Sequence, residues 1–118
     1  MKLLHIDDNQ DITDLFSELV KSLGFDYFAT NDPRVGLEHI KNEKYDFVLL
    51  DMHMPKLSGM DVIESLEKEK ILKDQKIVIF SGFPFDNIQK VNLLKKPGIH
   101  GCLQKPIRYS QLVTAIAG

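Results

Sequence analysis

The chain has 118 residues and a formal net charge of −2 at pH 7, a length that suits one domain with a buried core. The near balance of acidic and basic residues argues against a protein that binds nucleic acid directly through a broad basic face. A single cysteine allows no internal disulfide, which fits the reducing cytoplasm, and neither a signal peptide nor a membrane-spanning segment is apparent.

The first strand of the chain, expected at Lys2 to Ile6, ends in a pair of carboxylates, Asp7 and Asp8. A helix follows, with Asn9 or Asp8 as its cap and Gly24 at its end. Its apolar residues recur at helical spacing along one stripe: Ile12, Leu15, Phe16, Leu19, Val20 and Leu23. The pattern therefore predicts a strand whose end delivers two acids into the loop before an amphipathic helix. Capping that helix is an alternative role for either acid.

The next strand is expected at 25–29, and Asp32 and Pro33 mark the N-cap and first residue of a second helix. The run 47–55 comes next, with four consecutive apolar residues before Asp51. Apolar residues without polar alternation are typical of a strand buried on both faces, in the middle of a helix-covered parallel sheet. Asp51 is therefore expected at the carboxyl end of a central strand, where open α/β sheets bind their ligands.

The second half of the chain continues the alternation. A third helix is expected from about Ser58, a strand at 76–80 before Ser81, and a fourth helix between Asp86 and Leu94. The residues of the fourth helix expected to face inward are Ile88, Val91 and Leu94. A last strand is expected at 98–103, and a terminal helix follows it. The inward residues of the terminal helix are Leu112 and Ile116.

Five strands that alternate with five helices predict an α/β protein with a doubly wound parallel sheet. Polar side chains follow four of the strands at one edge of this sheet: Asp7 and Asp8, Asp51, Ser81, and Lys105. Close carboxylates repel one another, and a divalent cation such as Mg²⁺ would offset that repulsion. The set suits a phosphoryl group with its metal, because lysine and metal neutralise oxygens, the hydroxyl donates a hydrogen bond, and Asp51 serves as a carboxylate nucleophile.

These residues resemble the motifs of the response-regulator receiver domain of two-component signalling systems, in its stand-alone, chemotaxis-regulator-like form. The matching motifs are Asp7-Asp8, the run Asp51 to Gly59, Ser81-Gly82 and Lys105-Pro106, and their order and spacing together are specific. The resemblance implies a flavodoxin-like fold with strand order 2-1-3-4-5. It also implies a single receiver domain over residues 1–118 with no output domain, in the cytoplasm.

The resemblance assigns roles to the site residues. Asp51 would accept a phosphoryl group from a sensor histidine kinase or phosphotransfer protein. Asp8 and Asp51 would bind Mg²⁺ or Mn²⁺ directly, with the backbone carbonyl of His53, and Asp7 would act through water. The residues that would hold the phosphoryl oxygens are Ser81 and Lys105. The domain would then bind a separate, unidentified protein, so it is expected to be a signalling protein that catalyses only its own phosphorylation and dephosphorylation.

Some residues have roles particular to this sequence. By the same resemblance, His53 and Phe83 would border the path of water to the phosphoryl group, and Phe83 is expected to restrict that water. The alternative is that Phe83 packs on the fourth helix. Cys102 holds a place where the family usually carries an aromatic switch residue, so activation is expected to run without an aromatic rotamer change. Simple core packing of Cys102 is the alternative. The bond between Lys105 and Pro106 is expected to be cis.

Other departures from the family pattern are Asn9, which stands where an acid is usual, Ser58, where aspartate is common, and a short last helix. Three other functions would use similar chemistry or the same fold. An aspartyl-phosphate hydrolase would need a second acid at the place of His53, and a flavin module would need a phosphate loop in place of Asp7 and Asp8. A phosphorylation-independent interaction domain on the same fold is a third alternative.

Overall fold

The computed structural model describes residues 1–117, in which five strands alternate with five helices. The strands are β1 (Lys2–Ile6), β2 (Asp26–Thr30), β3 (Phe47–Asp51), β4 (Ile77–Ser81) and β5 (Ile99–Gln104). The helices are α1 (Gln10–Ser22), α2 (Pro33–Asn42), α3 (Gly59–Lys68), α4 (Asn87–Leu94) and α5 (Tyr109–Ala117), with a short 3-10 helix at Leu72–Asp74. The observed strands β2, β4 and β5 begin one residue later than the sequence pattern predicts.

The strands form one parallel sheet in the order β2-β1-β3-β4-β5, which confirms the predicted doubly wound, flavodoxin-like topology. Ile6 pairs with Leu50, and Asp51 pairs with Phe80 on the next strand. Because the strands run in parallel with this register, the carboxyl ends of β1, β3 and β4 lie side by side. The polar residues at and after these ends are thereby brought to one edge of the sheet.

Helices cover both faces of the sheet and enclose two apolar clusters. All five residues of β3 are buried, as expected for a central strand. One face packs on α2, α3 and α4 through residues that include Ile40, Val62, Ile63, Leu66 and Leu93. The other face packs on α1 and α5 through residues that include Phe16, Val20, Leu112 and Ile116. The expected inward residues of the last helix, Leu112 and Ile116, are confirmed.

The helix caps lie where the sequence predicts them, and they show that Asn9 rather than Asp8 caps α1. Asn9 caps α1, because its side chain accepts a hydrogen bond from Ile12 N. Asp32 and Ser58 cap α2 and α3 in the same way. Since Asn9 caps the first helix, Asp7 and Asp8 are not needed for that purpose. Among residues 1–117, no helix is long and apolar enough to cross a membrane.

The predicted inward face of α4 is wrong. Ile88, Val91 and Leu94 are 76%, 50% and 42% exposed, while Leu93 is buried. One residue along a helix turns the side-chain direction by about 100°, so a small change in rotation exchanges one face for the other. Leu93 packs among residues of the core and thereby sets the rotation of this short helix about its axis. Leu15 of α1 also differs from expectation and is 55% exposed at the edge of its stripe.

Candidate functional site

Three carboxylates lie together at the carboxyl edge of the sheet. Asp7 and Asp8 follow β1, and Asp51 ends β3 beside it. Each offers an oxygen within 4.8 Å of the others, and these are the residues that could hold a metal ion among those described. Asp7 and Asp51 are buried, whereas Asp8 is exposed. The cluster therefore has two acids fixed in the protein interior and one acid open to solvent.

Lys105 provides positive charge to this cluster from the turn after β5. Its Nζ donates a hydrogen bond to Asp7 Oδ2 over 3.0 Å and lies 3.4 Å from Asp51 Oδ1. Partial burial alone would lower the pKa of Lys105, but the carboxylates of Asp7 and Asp51 outweigh that effect and raise it. Lys105 is thus held as a cation between the two buried acids. The peptide bond that follows it, to Pro106, is cis.

The carboxyl group of Asp51 is difficult to ionise in the absence of a metal. Burial and the charge of Asp7 raise its pKa from 3.8 to about 6, against the opposing effects of Lys105 and the backbone N–H of His53. Lys105 therefore does not offset the combined cost of burial and of the neighbouring Asp7 charge. A divalent cation would offset the remaining cost, and carboxylate oxygens are the ligands that Mg²⁺ prefers.

Ser81 lies at the end of β4, with His53 and Phe83 beside it. Its Oγ accepts a hydrogen bond from Phe83 N over 3.1 Å and lies 3.0 Å from His53 Nε2. The His53 and Phe83 rings meet edge to face, with centroids 4.9 Å apart. Phe83 is 66% exposed and does not pack into the core. The sequence places both side chains near the site. The bond between His53 and Ser81, however, joins a loop to the end of β4 across 28 residues of chain, and no sequence pattern predicts it.

His5 is a site neighbour that sequence reasoning missed. Its Nδ1 lies 2.7 Å from Tyr27 Oη, which itself donates to Thr13 O, so Nδ1 carries the proton and donates to Tyr27. The opposite nitrogen, Nε2, is then unprotonated and lies 3.8 Å from Asp7 Oδ2. Burial, with help from the charge of Lys105, lowers the pKa of His5 to about 3. His5 is thus a neutral neighbour of Asp7, and its place in the first apolar strand was the only signal for it.

Cys102 lies on β5, three residues before Lys105. The side chain is buried in the cluster of apolar residues beneath α2, α3 and α4. Burial raises the pKa of the thiol, and Lys90 only partly offsets this, so the group is a protonated thiol at neutral pH. The cation that acts on the thiol, Lys90, lies on α4, a contact that the sequence does not predict.

The family of the chain follows from a direct match. A family model, the response regulator receiver domain, matches residues 3–117. The chain belongs to the response-regulator receiver family. The match extends over nearly the whole sequence and includes every residue of the acidic cluster.

Known relatives of this receiver domain agree with that family. The transcriptional regulatory protein CpxR homolog of Haemophilus influenzae is 32% identical over 115 residues, which are 98% of this chain and 48% of the relative. The CAI-1 autoinducer sensor kinase/phosphatase CqsS of Vibrio cholerae is 26% identical over 98% of this chain and 17% of its own length. The chain therefore spans about half or less of these relatives.

A solved structure supports the same conclusion for the fold. The receiver domain of a Francisella response regulator superposes with a TM-score of 0.87 at 26% identity, covering 98% of this chain and 93% of that chain. The parallel sheet and the edge that carries the acids are thus shared with a known receiver domain. The chemistry at this edge of the sheet depends on the side chains that this chain places there.

Proposed function

We propose that this receiver domain takes a phosphoryl group onto Asp51 from the phosphohistidine of a sensor histidine kinase or phosphotransfer protein. The observation that carries the proposal is the buried Asp51 carboxylate at the end of a central strand, with Lys105 Nζ 3.4 Å from Oδ1. The phosphorylated domain would then bind a separate protein. In this proposal the domain acts as a signalling protein, and its chemistry is confined to its own phosphorylation and dephosphorylation.

The acidic cluster fits a Mg²⁺ or Mn²⁺ ion. Asp8 and Asp51 would hold it directly, together with the backbone carbonyl of His53, while Asp7 would act through water. The support is the close set of carboxylate oxygens, together with the burial and the charge of Asp7 that raise the pKa of Asp51 and make its anion costly without a cation. When bound, such an ion supplies positive charge that neutralises phosphoryl oxygens.

Three side chains of this domain would each have a role in the transfer of the phosphoryl group. An Asp51 carboxylate oxygen attacks the phosphorus, the bond from phosphorus to the histidine nitrogen of the kinase breaks, and its electron pair returns to that imidazole. Lys105 neutralises charge on the phosphoryl oxygens, and the Ser81 hydroxyl donates a hydrogen bond to one of them. The buried floor of the site keeps these groups oriented.

Two further residues have proposed roles in the phosphorylated state. Phe83 would restrict the approach of water to the phosphoryl group, which is supported by its exposed ring against His53 at the mouth of the site. Cys102 would replace the aromatic switch residue of other receiver domains, so that activation proceeds without a ring rotation. This second role rests on the small size of the thiol; its burial among apolar residues fits equally the alternative that Cys102 simply packs in the core.

A phosphorylation experiment tests the proposal. The protein is incubated with Mg²⁺ and a small phosphodonor such as acetyl phosphate, and its intact mass is measured. We expect an acid-stable mass gain that hydroxylamine removes, as for an acyl phosphate, and no gain in Asp51→Asn. Phosphorylation of the Asp51→Asn variant at the same stoichiometry would contradict Asp51 as the acceptor. No gain in the wild type would favour a phosphorylation-independent interaction domain.

A further inference from the structure

Both hydrogen-bond partners of the Ser81 hydroxyl lie on loops outside the acidic cluster. Phe83 N donates to Oγ, and His53 Nε2 lies 3.0 Å from it. Ser81 is only 3% exposed, whereas His53 and Phe83 are both exposed, so the hydroxyl is covered while its two partners face solvent. Within the described part of the chain, no hydrogen bond joins Ser81 Oγ to Asp51 or Lys105. Because Phe83 N already donates to Oγ, the hydroxyl proton finds a partner when Ser81 donates to an unprotonated His53 Nε2, with the imidazole proton on Nδ1.

The phosphoryl group needs the same hydroxyl. Its oxygens are acceptors, and Ser81 has one proton to donate and two lone pairs, one of which already accepts from Phe83 N. His53 Nε2 and a phosphoryl oxygen therefore compete for the one hydroxyl proton of Ser81. Donating to a phosphoryl oxygen would cost the bond to His53, and this cost would weaken the binding of the phosphoryl group.

We propose that His53 is a positioning residue that acts as a latch on Ser81. It holds the hydroxyl beside the loops until a phosphoryl group on Asp51 displaces it. The edge-to-face contact with Phe83, at 4.9 Å between ring centroids, keeps the imidazole in place for this role. This inference rests on the proposed function, because it concerns the residue that would hold the phosphoryl oxygens.

Substitutions at position 53 test the contribution of the Nε2 atom separately from that of the aromatic ring. His53→Phe retains an aromatic ring against Phe83 but loses Nε2, whereas His53→Gln retains a polar group that can reach Ser81. Because His53 is exposed, the fold tolerates either side chain. The probe is beryllofluoride, a phosphoryl mimic, titrated with Mg²⁺ at fixed pH into the full chain and followed by amide chemical shifts.

The latch predicts that His53→Phe binds beryllofluoride about five-fold more tightly than the wild type, the effect of losing one competing hydrogen bond. His53→Gln should fall between the two. In a Ser81→Ala background, where no hydroxyl remains to be held, His53→Phe should leave the affinity unchanged. This double-substitution cycle isolates the contact between the two side chains.

Each other result overturns the latch. Equal or weaker binding by His53→Phe would show that His53 does not compete for Ser81. Tighter binding that persists in the Ser81→Ala background would show that the ring acts by another route. Failure of the wild type itself to bind beryllofluoride would overturn the proposed function and the latch with it, whereas a normal wild type with an unaltered His53→Phe would overturn the latch alone.

Discussion

At the scale of single residues, Asp51, the proposed phosphoryl acceptor, is placed where its charge is costly. Asp51 is buried at the end of a strand and faces Asp7, and Lys105 only partly offsets both effects. Because the pKa of Asp51 is about 6 in the folded protein and near 3.8 otherwise, folding favours its protonated form. The contribution of Asp51 to stability is therefore fully present below about pH 4 and is lost as the pH rises through about 6.

This environment predicts that Asp51→Asn stabilises the metal-free protein. The amide is nearly isosteric and removes a buried charge, so the free energy of unfolding at pH 7.5 should rise by about 1 to 3 kcal/mol. Urea denaturation in a chelator, at pH 7.5 and at pH 4, measures the effect. The gain should shrink at pH 4, where the wild-type carboxyl group is already largely protonated.

A matched control for this prediction is Asp26→Asn on β2, because Asp26 is exposed. Its effect on the free energy of unfolding should stay within about 0.5 kcal/mol at both pH values. A loss of stability in Asp51→Asn at pH 7.5 would contradict the prediction. It would mean that the attraction of Lys105 for the Asp51 carboxylate exceeds the cost of burying the charge.

Phe83 gives a second prediction at this scale, for the lifetime of the phosphorylated state. Its exposed ring covers His53 at the mouth of the site, so Phe83→Ala should admit water and speed dephosphorylation by about three-fold or more. The initial rate of labelling by the phosphodonor should remain unchanged. The measurement is the decay of the phosphorylated protein after removal of donor, followed by intact mass.

Ile88→Ala is the control for Phe83→Ala, because Ile88 is another large exposed apolar residue on the adjoining helix. It should decay at the wild-type rate. If Phe83→Ala also decays at that rate, the ring does not restrict water, and its role at the mouth of the site must be sought elsewhere.

At the scale of secondary-structure elements, α4 shows how a helix can be predicted correctly but rotated wrongly. Its apolar residues include Ile88, Val91 and Leu94 at a helical spacing, yet Leu93 is the one that reaches the core. In a helix of eight residues with apolar side chains on more than one face, periodicity does not fix which face is buried. The tertiary contact of one residue decides it.

The observed rotation of α4 predicts opposite outcomes for two neighbouring truncations. Leu93→Ala removes a buried side chain and should lower the free energy of unfolding by about 2 to 4 kcal/mol. Ile88→Ala removes an exposed one and should change it by less than about 0.5 kcal/mol. Urea denaturation of both variants makes the comparison, and a larger loss from Ile88→Ala would show that the helix is turned the other way.

At the scale of the whole molecule, much of the site was predictable because strand ends are visible in a sequence. Apolar runs that stop at Asp7 and Asp51 identify both the strands and the edge that collects their acids, and the parallel order then brings them together. The family motifs gave the strand order, which the structure confirms.

The parts that could not be predicted depend on side-chain geometry between distant segments. The neutral state of His5 depends on its burial and on the nearby charge of Lys105, and its tautomer depends on the contact with Tyr27; its sequence position indicates neither. The contact of His53 with Ser81 depends on the conformation of the loop after β3, which brings the imidazole to the end of β4. Sequence patterns indicate burial and periodicity. These contacts instead depend on interatomic distances, and a change of a few tenths of an ångström decides whether a hydrogen bond forms.

Metal binding provides a prediction for the molecule as a whole, since an ion that binds only the folded state stabilises all of it. At a Mg²⁺ concentration a hundred-fold above its dissociation constant, the free energy of unfolding should rise by about 2.7 kcal/mol. Asp8→Asn should lose most of this gain, because Asp8 would contribute a charged oxygen to the ion. Since Asp8 is exposed, the same substitution should change the metal-free stability little. Asp11→Asn, an exposed acid on the following helix, is the control and should keep the full gain. Urea denaturation with and without Mg²⁺ measures all three proteins, and an equal gain in Asp8→Asn would remove Asp8 from the proposed metal site.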